Sequence, residues 1–345
     1  MFMAPLCLIR PRSRAECTFP LDLGFVAGAF PEVETKGFDL LLDPAPVWGA
    51  ELHYLSPGDD RAETDRLAAN IRAAGGTVLI GGGVPAVADP LGLEPGPDRV
   101  DYRLFDLHRY EPSLFGPGTT GAPLLTSRGC HWNCSWCEVP ASEPNGFRPR
   151  STEDLGADVA SAMELGVRHF AIEDDHFTAD RDHVEAVCDA LSAAHVSWEC
   201  LNGVRPDTLD PDLIRRMSAA GCVHLAIGIE SDDQQILASH NRAYDPQRLD
   251  AVIATCRLEG VQVTGYFLLD LGRPSRINRA AQVLRVSASG LSMAHFSWLD
   301  PPGRAARLAA NLCVYAHPIR LGSLIRAGKL GLEKWPKIRA KLRRL

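Results

Sequence analysis

The chain has 345 residues, with 43 acidic and 36 basic side chains and a net charge of -7. Its 46% hydrophobic and 23% charged residues are typical of a folded globular protein, which excludes disorder over most of the length. The slight acidity argues against a dedicated nucleic-acid-binding protein. Because the sequence has neither a long apolar run nor the pattern of a secretory signal, we expect a cytoplasmic protein without a membrane span.

The first third of the sequence predicts a small Rossmann-like domain. A strand over Glu51–Pro57, a helix over Asp59–Gly76 and a strand over Thr77–Gly83 have the spacing of a parallel βαβ unit. The residues before them carry little pattern, apart from one short strand within Phe38–Pro46. Prolines crowd into residues 85–123 and indicate irregular structure. We therefore place this domain at 1–110 and a linker at 111–122.

From Pro123 onward, predicted strands and helices alternate six times. This alternation indicates parallel strands with right-handed crossovers, and six repeats suit an open (β/α)6 partial TIM barrel over residues 123–303. Chemistry is then expected on the loops that follow the strands. The remaining residues, 304–345, hold eleven Lys or Arg and one acid, and predict a basic helical tail. The predicted barrel strands are 123–129, 169–175, 196–203, 223–231, 261–271 and 291–299.

Three of the ten cysteines lie within eight positions, directly after the first barrel strand: Cys130, Cys134 and Cys137. A Cys-x3-Cys-x2-Cys loop can hold one cubic iron–sulfur cluster through three thiolates and leave the fourth iron open. Structural zinc is the alternative, but it typically needs a second ligand pair, and no other cysteines are clustered. Three uninvolved core cysteines are the other alternative. An auxiliary iron–sulfur centre is not expected.

The cysteine loop, placed between a first strand and a first helix, resembles that of the radical S-adenosylmethionine (SAM) superfamily. Trp136, directly before the third cysteine, strengthens the similarity, which extends over about Pro123–Gly303. The resemblance implies that Cys130, Cys134 and Cys137 hold a 4Fe-4S cluster whose open iron binds SAM. It implies reductive cleavage of SAM to methionine and a 5'-deoxyadenosyl radical, which abstracts hydrogen from a substrate. An external flavodoxin- or ferredoxin-type electron donor is implied as well.

Later segments resemble the cobalamin-associated branch of the superfamily, and six residues are implied to bind SAM: Trp136, Glu173, Asp174, Arg205, Glu230 and Arg242. Trp136 is expected to shield the cluster and contact adenine. The acids that end the second strand would bind the SAM ammonium group or the substrate, and Arg205 would bind the carboxylate. Glu230 and Arg242 would hold the methionine part. The alternatives are helix-capping or solvated acids and surface arginines.

Some segments depart from the family pattern. The fifth strand runs into Asp270–Arg273 where a Gly-Leu-Pro-Gly-Glu turn is usual, and Arg304 replaces a threonine after the sixth. The N-terminal domain resembles a truncated cobalamin-binding domain without an Asp-x-His-x-x-Gly motif, so a structural remnant is favoured over cobalamin binding. With no appended RNA-binding module evident, we expect a small-molecule substrate and no nucleic-acid partner. Methyl transfer and other radical reactions stay open, and a non-catalytic, redox-sensing iron–sulfur protein is the rival hypothesis.

Overall fold

The computed structural model describes residues 6–10, 21–39, 52–56, 61–80, 96–110, 120–272, 280, 282–284, 286 and 290–298. The chain divides into two compact units. The first combines Met1–Pro112, Thr119–Leu124 and Arg150–Arg168, and the second combines Ser113–Gly118, Leu125–Pro149 and His169–Leu345. In the described part of the chain, no helix is long and apolar enough to cross a membrane.

The N-terminal residues form a parallel four-stranded sheet in the order β2-β1-β3-β4. Its elements are β1 (Leu6–Arg10), α1 (Leu21–Ala29), β2 (Thr35–Asp39), β3 (Leu52–Leu55), α2 (Arg61–Ala73) and β4 (Thr77–Ile80). The predicted βαβ unit is confirmed as β3, α2 and β4. The sequence analysis missed β1 and α1, because α1 is apolar along most of its length and shows no helical periodicity.

A second parallel sheet has six strands in the order β5-β8-β9-β10-β11-β12, which confirms the predicted (β/α)6 pattern. These strands are β5 (Gly121–Leu124), β8 (His169–Ile172), β9 (Ser197–Val204), β10 (Cys222–Glu230), β11 (Gln262–Leu268) and β12 (Met293–Ser297). Two short strands, β6 (Ser127–Arg128) and β7 (Arg148–Pro149), pair antiparallel beside it. The helices are α3 (Val139–Ser142), α4 (Thr152–Glu164), α5 (Arg181–Ala193), α6 (Pro211–Ala219), α7 (Gln234–Ser239) and α8 (Pro246–Leu258).

Short polar side chains fix where these helices begin. Ser151 caps α4, and Asp180, Asp210 and Asp245 cap α5, α6 and α8, by accepting hydrogen bonds from first-turn amides. Because the six strands are parallel, the loops that follow their carboxyl-terminal ends meet at one edge of the sheet. This edge carries the residues described below.

Both faces of the six-stranded sheet are buried, and one of them carries a polar layer. Trp198, Phe170 and Phe177 are fully buried. Near the amino-terminal ends of the strands, the buried carboxylate of Glu199 lies 3.2 Å from His169 Nε2 and 3.5 Å from His224 Nδ1. Glu199 thus lies between buried histidines of the two neighbouring strands.

Parts of the prediction lie outside the described residues: most of the strand within Phe38–Pro46, most of the helix near 275–288, and the basic tail 304–345. The limits of the domains stay predictions. The first barrel strand differs from its prediction, because β5 ends at Leu124 and does not run to residue 129. There the N–H of Thr126 donates to the Asp174 carboxylate at 2.6 Å, so a side chain takes the bond that a strand ladder would use.

Candidate functional site

The three predicted cluster ligands lie on one loop between β6 and α3. Cys134 is buried, Cys130 is partly exposed and Cys137 is exposed, and all three are free thiols. The N–H of Cys137 donates to the carbonyl of Cys134 at 3.0 Å, which closes the second half of the loop into a turn. Burial is the main cause that raises the pKa of the Cys130 thiol, and the charges of Cys137 and Cys134 raise it further. The Cys130 thiol therefore lies within electrostatic range of the other two thiols.

Two adjacent acids at the end of β8 fix the start of this loop. Asp174 is fully buried and accepts hydrogen bonds from Thr126 N–H (2.6 Å), Thr126 Oγ1 (2.5 Å) and Ser127 Oγ (2.6 Å). The next acid, Asp175, accepts from the N–H of Gly129 at 2.8 Å, directly before Cys130. Both carboxyl groups of this Asp-Asp pair thus bind the segment that leads into the cysteines.

Arg205 follows β9 and lies against the middle of the loop. Its Nη1 donates to Cys134 Sγ at 3.6 Å and to the carbonyl of Asn241 at 3.2 Å. Its Nε and Nη2 form a two-point pair with Asp207, each at 2.9 Å. The guanidinium also lies 4.7 Å from the centre of the Trp132 ring. Protein partners therefore occupy most of this side chain.

Glu230 and Arg242 come together at the end of β10, although twelve positions separate them. Arg242 Nη2 lies 3.5 Å from Glu230 Oε1 and donates to the carbonyl of Gly228 at 3.0 Å. Glu230 has φ +63°, a strained backbone conformation for a residue other than glycine. A Cβ at Gly228 would collide with Arg242 Nη2, so this position has to be glycine for the pair to meet.

The electrostatics of this pair are unusual. Burial raises the pKa of Glu230 to about 7, and the neighbouring Arg242 lowers it only in part. Arg242 is itself buried, lies 4.0 Å from Cys134 Sγ through Nη1, and has at Nε a buried donor without a partner among the described residues. An acid and a guanidinium with a free donor thus lie beside the cysteine loop.

The other two predicted SAM-binding residues lie at the same edge of the sheet. Trp136 is partly exposed, and its ring packs edge-on to His240 at 5.6 Å. Glu173 is partly buried, and its carbonyl accepts from Asn202 Nδ2 at 3.0 Å. The structure thus brings all six residues to the loops that follow the strands.

Sequence reasoning did not assign a role to Trp132, His176 or Asp207. His176 is buried, its ring lies 4.7 Å from that of Trp132, and its Nε2 accepts the N–H of Arg205 at 3.1 Å. Burial, and secondarily Arg242 and Arg205, lowers the pKa of His176 to about 3, so this imidazole is neutral. The Arg-Pro-Asp sequence after β9 could have indicated the Arg205–Asp207 pair. Only the fold shows that this pair contacts the cysteine loop.

Among the residues that the structure describes, no three His, Cys, Asp or Glu side chains converge on a position for one metal ion. A cubic cluster sets a different requirement, because each thiolate binds a separate iron. Three free thiols on one loop fit that requirement.

Comparison with known proteins agrees with this geometry. Residues 124–273 match the model of the radical SAM superfamily. The cytidylyl-2-hydroxyethylphosphonate methyltransferase of Streptomyces wedmorensis is 27% identical over 182 residues, which are 52% of this chain and 34% of that protein. The bacteriochlorophyllide d C-8(2)-methyltransferase of Chlorobaculum tepidum is 22% identical over 163 residues, 44% of this chain and 36% of that protein. The chain spans about a third of the length of these two relatives.

Solved structures share the fold. The radical SAM methyltransferase TsrM from Kitasatospora setae, with cobalamin and a [4Fe-4S] cluster bound, superposes with a TM-score of 0.68 at 14% identity, covering 86% of this chain and 75% of that one. The cobalamin-dependent SAM radical enzyme OxsB gives a TM-score of 0.58 at 12% identity, covering 93% and 56%. Residues 124–273 are thus similar to the radical SAM superfamily, and the fold is similar to that of these two enzymes.

Proposed function

We propose that this protein is a radical SAM enzyme that modifies a small-molecule substrate, with methyl transfer as the favoured reaction. The family implies a 4Fe-4S cluster and SAM as cofactors. When bound and reduced, the cluster supplies the electron that cleaves SAM and so starts radical chemistry on the substrate. We further propose that an external one-electron donor in the cytoplasm reduces it.

The observation that carries this proposal is the cysteine loop with its two arginines. Cys130, Cys134 and Cys137 would each hold one iron, and the positive charges of Arg205 and Arg242 beside Cys134 would stabilise an anionic cluster. Asp174 and Asp175 would keep the loop in place, since they bind its first residues. A loop fixed in this way fits a bound cluster.

We propose that Glu230 and Arg242 bind the two charged groups of the SAM methionine. Arg242 fits the carboxylate, because its Nε is a buried donor that no described residue uses. Glu230 fits the ammonium group, which would stabilise the ionised form of this buried acid. Glu173 remains a candidate for the ammonium group as well, and Trp136 for a contact with adenine.

Asp174 and Arg205 fit other roles better than direct SAM binding. Three donors from Thr126 and Ser127 use the carboxylate of Asp174, and four hydrogen bonds to protein atoms use the guanidinium of Arg205. We propose that both residues position the cysteine loop and affect SAM binding only through that loop.

Two facts support methyl transfer. Several relatives are named as methyltransferases or methylases. The N-terminal sheet has four parallel strands in a Rossmann-like order. This type of fold can bind a large cofactor at the ends of its strands, and cobalamin is such a cofactor. Cobalamin is therefore included in the test as a variable.

The test is anaerobic reconstitution with iron and sulfide, with and without hydroxocobalamin, followed by dithionite and SAM. The products measured are 5'-deoxyadenosine and S-adenosylhomocysteine, in the wild type, in Cys134→Ala and in Cys188→Ala. Cys188 is a buried cysteine of α5 and serves as the matched control.

We expect 5'-deoxyadenosine from the wild type and from Cys188→Ala, and none from Cys134→Ala. S-adenosylhomocysteine that requires cobalamin would support methyl transfer. A fully loaded cluster that never cleaves SAM would favour the non-catalytic, redox-sensing alternative. Failure of the wild type to load iron would overturn the proposed function.

A further inference from the structure

Arg205 joins four parts of the second unit through one side chain. It follows β9, pairs with Asp207 in the next turn, contacts Cys134 and the Trp132 ring in the cysteine loop, and binds the carbonyl of Asn241 after α7. Only 4% of the side chain is exposed. A buried guanidinium with this many fixed partners keeps one orientation, so its contact with the sulfur of Cys134 is constant.

The positive charge of Arg205 is only partly neutralised. Among the described residues, its carboxylate partner is Asp207, whose side chain is 34% exposed, so water shares that negative charge. The neighbouring His176 accepts the N–H of Arg205 through Nε2, so this nitrogen carries no proton and the imidazole is a neutral neighbour. The Trp132 ring favours a cation on its face. The guanidinium, which is the positive member of the Arg205–Asp207 pair, therefore lies 3.6 Å from Cys134 Sγ.

We infer that Arg205 is a positioning residue that raises the reduction potential of the cluster bound by Cys134. This inference rests on the proposed function. Reduction adds one electron from an external reductant, and so one negative charge, to the cluster. A fixed cation beside one of its thiolates stabilises the reduced form more than the oxidised form. A hydrogen bond to the sulfur acts in the same direction.

Arg242 has a different arrangement, although it also approaches Cys134. Its Nη1 is 4.0 Å from Sγ, and its Nη2 is shared between the carbonyl of Gly228 and the carboxylate of Glu230. Glu230 is a proposed SAM ligand, whereas Asp207 pairs with Arg205 through both of its carboxylate oxygens. The potential can therefore be tested at Arg205 and Asp207 without changing the proposed SAM ligands.

The experiment is a redox titration of the reconstituted full chain without SAM, followed by electron paramagnetic resonance of the reduced cluster. The variants are Arg205→Gln, Arg205→Lys and Asp207→Asn. Arg248→Gln is the control with the same change of charge, because the described contacts of this α8 arginine are with Leu209 and Asp210 and not with the cysteine loop. Iron and sulfide content are measured first, so that every potential refers to a loaded cluster.

We expect Arg205→Gln to make reduction about tenfold less favourable, which is about 59 mV for a one-electron couple. Arg205→Lys keeps the charge and should lie between this variant and the wild type. Asp207→Asn removes the compensating carboxylate and should shift the potential in the opposite direction. Opposite signs at two paired residues are a result that loss of structure alone would not give.

Loaded clusters with unchanged potentials in Arg205→Gln and Asp207→Asn would overturn this inference and leave the proposed function intact. If Arg205→Gln loads no cluster, Arg205→Lys and Asp207→Asn still show in which direction the reduction potential shifts. Equal shifts in the Arg248→Gln control would also overturn it, because the effect would then be one of total charge. A wild type that loads no cluster would instead contradict the proposed function itself.

Discussion

Gly129, directly before the first cysteine, lies at a position where the backbone requires glycine. It has φ +77°, and a Cβ there would collide with the carbonyl oxygen of Gly146. We expect Gly129→Ala to lower the amount of cluster bound after reconstitution and to cost more than the ~1–2 kcal/mol of a left-handed alanine. Gly146→Ala is the matched control, because Gly146 has φ +69° and open space around its Cβ position. Equal iron content in the two variants would contradict the steric argument.

The buried acid Glu230 makes the stability of the cluster-free protein depend on pH. Its pKa is about 7 in the folded chain against an ordinary value of 4.5, so the folded state holds this proton more tightly than the unfolded state. The resulting stabilisation is fully present below pH 4.5 and is lost as the pH rises to about 7 and above. At 1.36 kcal/mol per pKa unit the loss is about 3 kcal/mol.

Glu230→Gln removes this titration and should therefore be more stable than the wild type at pH 8. Denaturant unfolding of the cluster-free wild type and variant at pH 5 and pH 8 measures the difference. The gap between the two proteins should grow with pH, by an amount of the order of that loss. A gap that is the same at both pH values would show that the proton of Glu230 is not linked to folding.

At the scale of elements, the end of β8 is tied to the cysteine loop through Asp174. Its carboxylate is buried and accepts three hydrogen bonds, so Asp174→Asn places an amide group against the hydroxyl groups of Thr126 and Ser127. We expect a loss of about 2 kcal/mol in the free energy of unfolding and a lower iron content. Denaturant unfolding and iron analysis measure the two effects. Asp250→Asn, an exposed position on α8, should change neither.

Which elements could be predicted from the sequence depended on whether their pattern is local or is set by distant contacts such as that of Asp174. The strands β8 to β11 follow the apolar pattern, because buried parallel strands need nearly continuous apolar residues. The break after β5 could not be predicted, since Thr126 leaves the ladder to bind Asp174, 48 positions away. In the site, the cysteine loop was singled out by its spacing, whereas Glu230 and Arg242 were named through the resemblance and their contact with each other was not predicted. The contact between Arg205 and Cys134 depends on the packing of β9 against a loop 71 positions earlier.

At the scale of the whole molecule, the cysteine loop connects many separated parts of the second unit. Its residues contact the Asp-Asp pair after β8, Arg205 after β9 and the segment around Asn241 and Arg242 after α7. A ligand that binds only the folded arrangement of this loop stabilises the whole cooperative unit by mass action. The bound cluster should therefore stabilise the fold of this unit in addition to its proposed chemical role.

Removal of the cluster tests this coupling. We expect the reconstituted protein to unfold several degrees above the cluster-free protein under anaerobic conditions, since each 1 kcal/mol corresponds to about 2–4 °C for a unit of this size. Cys134→Ser should lose more of this gain than Cys137→Ser, because Cys134 is buried against two arginines and Cys137 is exposed. Differential scanning calorimetry before and after treatment with a chelator measures the shift. If the midpoint is the same with and without iron, the loop is already rigid and the cluster adds no stability to the fold.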